Sequence, residues 1–261
     1  MPEAPLHVTR NGAVLEIVLD RPKANAIDAA TSRLMGRAFA EFRDDPDLRV
    51  AIVTGGGEKF FSAGWDLNAA ASGEPPNADY GVGGFGGLQA LPDLNKPVIA
   101  AVNGMAVGGG FELALSADLI VAADHARFSL PEIRSGTLAD AATIKLPRRI
   151  PYHVAMDLLF TGRWMAADEA LQWGLVTEVV AGPSLMKRVR ELAETLAKGP
   201  PLVFAAIKEV ARESEKLSFH DALSRVMERR FPTVDRLYSS EDQLEGARAF
   251  VEKRAPVWKG R

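Results

Sequence analysis

The stretch PVIAAVNGMAVGGGFELALSADLIVA, residues 97–122, holds two short apolar runs separated by three consecutive glycines and the segment FELAL. PVIAAV (97–102) and DLIVA (118–122) are β-branched runs bounded by Pro, Asn and Asp, and they read as strands buried on both faces. Gly108–Gly110 follow the first run and precede an apolar turn, which places a helix start at the glycines, with unpaired N–H groups and the positive end of a dipole. Strand, helix start and strand in such close succession predict an α/β fold.

Working outward, VLEIVL (14–19), VAIVT (50–54) and VTEVV (176–180) read as further strands. Leu34, Met35, Ala38, Phe39 and Phe42 fall at helical spacing after the cap-competent DAATS, so a helix joins the first two. Beyond Pro183 only helical periodicity remains, in SLMKRVRELAETLAK, PLVFAAIKEVARE, FHDALSRVMERRF and EDQLEGARAFVEKR. The expected organisation is an α/β core over 1–195 and a helical region over 196–261. Ala69 to Gly87 is a Gly- and Pro-containing insertion of the kind that often forms a lid.

With 261 residues, 47% hydrophobic and 25% charged, the chain has the composition of an ordinary globular protein. A net charge of −3 provides no global field to attract nucleic acid or an anionic membrane. The absence of cysteine excludes disulfides, thiolate nucleophiles and cysteine metal sites, and fits a reducing cytoplasm. MPEAPLHVTR lacks the apolar core of a secretory leader. The most apolar stretch, Pro97 to Val107, is broken by Asn103 and Gly104, well short of a bilayer span.

GVGGFG (81–86) fits a dinucleotide fingerprint in letters alone, because no strand precedes it, and a loop is the better reading. TGGGEKF lacks the spacing of a phosphate-binding loop, no nucleophile elbow occurs, and His7, His125, His153 and His220 lack ligand spacing. Two glycine turns and three acids remain. The turn at Gly108–Gly110 and the one in FSAGWDL (61–67) can each offer a backbone N–H, and two converging amides make an oxyanion hole. Glu112, Glu132 and Asp140 each also have a plain reading: a first-turn acid that stabilises a helix end, a solvated loop acid, and an N-cap for AATIKLPRR.

Taken together, KPVIAAVNGMAVGGGFELALSADLIVAADHARFSLPEI (96–133), FFSAGWDL, LDRPKANAI and TGRWMAADEALQWGLV resemble the characteristic segments of the enoyl-CoA hydratase/isomerase (crotonase) family over nearly the whole chain. The resemblance implies a spiral of ββα units with a C-terminal helical region that helps assemble trimers, often paired into hexamers. It implies that the amides of Trp65 and Gly109 bind the thioester oxygen of an acyl-CoA, and that Glu112 and Glu132 are the catalytic pair. It places Lys23, Ala24, Ala63, Asp66 and Leu67 along coenzyme A, with Phe250 and Lys253 completing that site. Coenzyme A enters as the acyl carrier; no metal or redox cofactor is implied. Adding water across a conjugated double bond needs a base for the water, a proton for Cα and a holder for enolate-like charge, which suits this set.

Within the family, TRNGAVLEIVLDRPKANAIDAATS, FRDDPDLRVAIVTGGGEKFFSAGWDLNAAASGEPPNADYGVGGFGGL and EKRAPVWKGR resemble members acting on a trimethylammonium acyl group, the crotonobetainyl-CoA/L-carnitinyl-CoA pair. Trp65, Tyr80 and Phe85 are then candidate walls for the ammonium, and Asp140 its counter-charge; packing of the lid and capping of a helix are the plain alternatives. The chain departs from the usual family pattern at Ala139, Ala141 and Ala142, and Met105 stands where an aromatic is usual, beside the expected acyl pocket. EIRSGTLAD also resembles dienoyl-CoA isomerases, though the acid after the glycines is Glu112 where those have Asp. RNA binding, known among crotonase relatives, would need a basic face that RVMERRF and LPRR are too short to supply.

Overall fold

The computed structural model describes residues 4–261; of the ten residues read for a leader, 1–3 lie outside the described residues. A hairpin of β1 (Leu6–Asn11) and β2 (Val14–Leu19) turns at Gly12 and is followed by β3 (Ala26–Ile27) and α1 (Ala29–Asp44). Asp28 caps α1 by accepting the Thr31 N–H at 2.7 Å. Three similar passages succeed one another: β4 (Val50–Gly55), β5 (Phe60–Ser62) and β6 (Gly64–Trp65) before α2 (Leu67–Ala71); β7 (Val98–Val102) and β8 (Met105–Val107) before α3 (Gly109–Ala114); β9 (Leu119–Ala123) and β10 (Arg127–Ser129) before α4 (Glu132–Ser135). Then come α5 (Asp140–Lys145), α6 (Tyr152–Thr161), β11 (Met165–Ala166), α7 (Ala167–Gln172) and β12 (Glu178–Val180).

Each passage gives its long strand to one sheet and its short strand to another. The first sheet has the order β1-β2-β4-β7-β9-β12 and is parallel except for the opening hairpin. The second has the order β11-β10-β8-β5, and β3 pairs with β6 in a third. Every residue of β4 and β7 is buried, as their unbroken apolar runs require. This is the predicted α/β spiral of ββα units.

Two compact units divide the chain: residues up to Leu94 with Val98–Ala193, and Asn95–Pro97 with Glu194–Arg261. The second unit is helical. It contains the end of α8 (Leu185–Ala197), then α9 (Pro201–Ser214), α10 (Phe219–Met227), α11 (Pro232–Tyr238) and α12 (Asp242–Val251). Its core is Ala206, Phe231 and Val234, flanked by Val210, Leu217, Val226 and Leu237. The Asp242 carboxylate accepts the N–H groups of Lys259 and Gly260 at 2.8 and 2.7 Å, tying the chain end to α12. Among the described residues no helix is long and apolar enough to cross a membrane.

The insertion is an ordered cover rather than a loose lid. Glu74 accepts the Ala29 N–H at 3.0 Å, Arg33 donates to the Asp79 carbonyl at 2.6 Å, and the Gly86 N–H donates to Ser32 Oγ at 3.1 Å. A Cβ on Gly87 would lie 2.2 Å from Gly36 N, so the cover lies directly against the α1 backbone.

Candidate active site

The turns that follow the short strands converge on a cavity of about 310 Å³ in the first unit. Trp65, Tyr80, Phe85, Gly109, Glu112, Glu132 and Asp140 all line it, with Pro76, Asn77, Gln89, Thr137 and Leu138.

Each glycine of the triplet meets a different neighbour. A Cβ on Gly108 would lie 2.6 Å from Glu132 Oε1, one on Gly109 would lie 2.4 Å from Phe85 Cε1, and one on Gly110 would lie 2.2 Å from the Ser62 carbonyl oxygen. A carboxylate, an aromatic ring and a strand thus press on consecutive residues, and only bare backbone admits all three. Gly64, in the turn before Trp65, meets the same helix start: its Cβ would lie 2.7 Å from Gly109 N. The Gly64–Trp65 peptide and the first N–H of α3 are therefore neighbours at the cavity wall, and a helix leaves its first-turn N–H groups without internal partners.

Glu112 is buried on α3. Its Oε1 accepts the Ala142 N–H at 2.9 Å and its Oε2 accepts the Gln89 amide at 3.2 Å. Burial pushes its pKa up, and the Asp140 charge adds to this against the two hydrogen bonds. Glu132 begins α4, and its Oε2 is buried with no hydrogen-bond partner. Burial, helped by the charges of Glu112 and Asp140, pushes its pKa up to about 7. Two carboxyls with raised and coupled titrations in a cleft form the arrangement expected where protons are moved.

Asp140 is the first residue of α5 and its cap position is Ala139, so Asp140 is not the N-cap read from the sequence. Asp140 is exposed and lines the cavity, where the counter-charge reading puts it. Tyr80 and Phe85 meet edge to face, with ring centres 5.3 Å apart, and the Tyr80 hydroxyl donates to the Pro76 carbonyl at 3.1 Å. The Trp65 indole N–H donates to Glu74 Oε1 at 3.0 Å. Among the described residues no Lys or Arg lines the cavity.

Met105 lies at the start of β8, opposite Phe60 and Arg127, and is not among the residues that line the cavity, which is met at the other end of that strand. Ala24 and Ala63 are joined by an Ala63 N–H bond to the Ala24 carbonyl at 2.9 Å, so the two segments expected along coenzyme A adjoin, with Lys23 and Leu67 exposed. The Asp66 carboxylate is already committed: it caps α2 through the Asn68 N–H at 2.9 Å and pairs with Arg21 at 2.7 Å. Its backbone is paired as well: its N–H donates to the Ile27 carbonyl at 2.9 Å and its carbonyl accepts the Ala70 N–H at 3.0 Å. Phe250 and Lys253 belong to the second unit, and Phe250 is 85% exposed at the end of α12. Gln89 and Glu74 were not legible as site residues. The one sequence signal for Gln89 is a polar side chain set among Leu88, Leu91 and Leu94.

The family model for Enoyl-CoA hydratase/isomerase matches residues 9–261. Carnitinyl-CoA dehydratase of Salmonella typhi is 56% identical over 260 residues, covering 98% of each chain. Among solved structures, an enoyl-CoA hydratase from Mycobacterium tuberculosis H37Rv superposes with a TM-score of 0.90 at 38% identity, over 99% of this chain and all of that one. An enoyl-CoA hydratase from Mycobacterium marinum gives a TM-score of 0.91 at 38% identity with the same coverage.

Proposed function

The chain belongs to the enoyl-CoA hydratase/isomerase family, and we propose that it catalyses the reversible addition of water across the 2,3 double bond of an enoyl-CoA, with crotonobetainyl-CoA and L-carnitinyl-CoA as the substrate pair. One observation carries the choice of acyl group: the cavity presents three carboxyls, three aromatic rings and no basic side chain. That lining repels an anionic acyl end and attracts a quaternary ammonium through ring faces and the exposed Asp140 charge. Carnitinyl-CoA dehydratase as the named relative agrees with it.

In this reading the N–H groups of Trp65 and Gly109 hold the thioester oxygen, where negative charge grows as water attacks. Glu112, anchored by Ala142 and Gln89, takes a proton from water as its oxygen bonds to Cβ. The π electrons move to Cα, which takes a proton from Glu132, half-protonated near neutrality. Dehydration retraces these steps. The backbone of residues 24 and 63–67 runs beside the pantetheine arm, and Lys23 meets the phosphates of coenzyme A. A homotrimer or homohexamer is supported by the exposed apolar side chains of α10: Phe219, Leu223 and Met227.

The test compares specificity constants for crotonobetainyl-CoA, crotonyl-CoA, longer 2-enoyl-CoAs and a 3,5-dienoyl-CoA. Preference for the betaine by tenfold or more is expected. Preference for crotonyl-CoA would overturn the acyl assignment, and double-bond migration without hydration would overturn the reaction class.

A further inference from the structure

The two oxygens of Glu112 face partners of different chemistry. Oε1 receives a backbone N–H, that of Ala142 in the first turn of α5, and Oε2 receives the side-chain amide of Gln89 in the cavity wall. We infer that Gln89 is a positioning residue that reserves Oε2 of Glu112 for the proton taken from water. The inference rests on the hydratase reading of Glu112.

A backbone N–H donates and never accepts, so the Ala142 bond is best kept when Oε1 is the carbonyl oxygen and the proton sits on Oε2. A primary amide can both donate and accept, and its terminal torsion is roughly two-fold. Beside ionised Glu112, Gln89 offers an N–H. Once Oε2 is protonated, a half-turn offers the amide oxygen to the new O–H. The partner is therefore satisfied in both states, as repeated turnover requires. In hydration one water O–H bond breaks, its proton goes to Oε2, the oxygen bonds to Cβ, and the displaced π pair takes the Glu132 proton at Cα.

The other charged groups around Glu112 are few. Asp140 on α5 and Glu132 on α4 share the cavity, and Lys145 on α5 donates to Ser116 Oγ at 2.8 Å beyond the end of α3. The strands packed on α3, β3, β5, β6 and β8, carry no charged side chain.

The experiment is the pH dependence of kcat for hydration in Gln89→Met and Gln89→Glu, with Glu112→Gln as the control on the underlying reading. Loss of a hydrogen bond to a carboxylate moves the acidic limb of the profile up by about one to two pH units in Gln89→Met. It moves further in Gln89→Glu, where a carboxyl faces Oε2. Below the shifted limb kcat falls about ten- to a hundredfold while KM changes less than about threefold. An unmoved limb in either variant, or a loss confined to KM, overturns the role of Gln89. Retained turnover in Glu112→Gln overturns the hydratase reading itself.

Discussion

Replacing Gly109 with alanine isolates the contact that fixes the cavity floor. Gly109 is in the first turn of α3 and is not among the positive-φ glycines, so alanine suits its backbone and by helix propensity alone stabilises by about 0.5–1 kcal/mol. The new methyl, however, would lie 2.4 and 2.7 Å from Cε1 and Cζ of Phe85, and that ring is held edge-on by Tyr80. Forcing an extra carbon into a packed site costs about 1–3 kcal/mol. The net loss is then about 0–2.5 kcal/mol, or a melting temperature lower by up to about 10 °C for a chain of this size. Phe85→Leu removes the two offending atoms, so in that background Gly109→Ala should be neutral or stabilising. Thermal unfolding of the four proteins of the cycle, at one protein concentration, gives the coupling directly. A coupling below about 0.5 kcal/mol would refute the steric account. Gly110→Ala is the contrast: its methyl meets the Ser62 backbone at 2.2 Å, and no side-chain change relieves it.

Glu112→Gln and Glu132→Gln should each lower hydration by about 10²–10⁴-fold while acyl-CoA binding, measured by calorimetry, persists. Hydration needs Glu132 protonated, so its rate should fall as pH rises through about 7, whereas dehydration should rise through the same point; stopped assays in both directions would show it. Stability follows the same group: between its ordinary value and about 7 the folded state holds a proton that the unfolded state has lost, so stability falls as pH rises through that window. Glu132→Gln should therefore melt higher relative to the parent at pH 8 than at pH 5. Asp140→Asn should lower kcat/KM for crotonobetainyl-CoA about two- to fivefold relative to crotonyl-CoA, the size of one exposed charge contact, and equal losses on both would remove the ammonium role.

The long strands were legible because burial on both faces leaves a continuous apolar run: 14–19 and 50–54 fall on β2 and β4 almost residue for residue. Strands of two or three residues, such as β6, β8 and β10, leave no periodicity to read, and their pairing is decided by partners distant in sequence. The amphipathic helices from α8 onward were visible for the opposite reason, a repeat sustained over several turns. In the site, the glycine triplet announced close backbone contact, but not that a ring and a carboxylate were among its neighbours. Glu74, within the cover, and Gln89, just after it, pair with partners 9 and 23 residues away, in a stretch whose sequence has no regular pattern. For Asp140 the sequence left two readings open, a counter-charge or a helix cap, because the start of α5 at Asp140 itself is fixed by packing and not by a local signal.

Trp65, Gly109 and Glu132 stand at corresponding points of three successive ββα passages, each just beyond a short strand. On the proposed function, donors and acid would thus be mounted on repeats of one local plan, over a scaffold common to all three. Exchanging residues 76–85 or 137–140 should retune which acyl chain is accepted without rewiring the sheets, making those two segments the natural targets for directed evolution of substrate range.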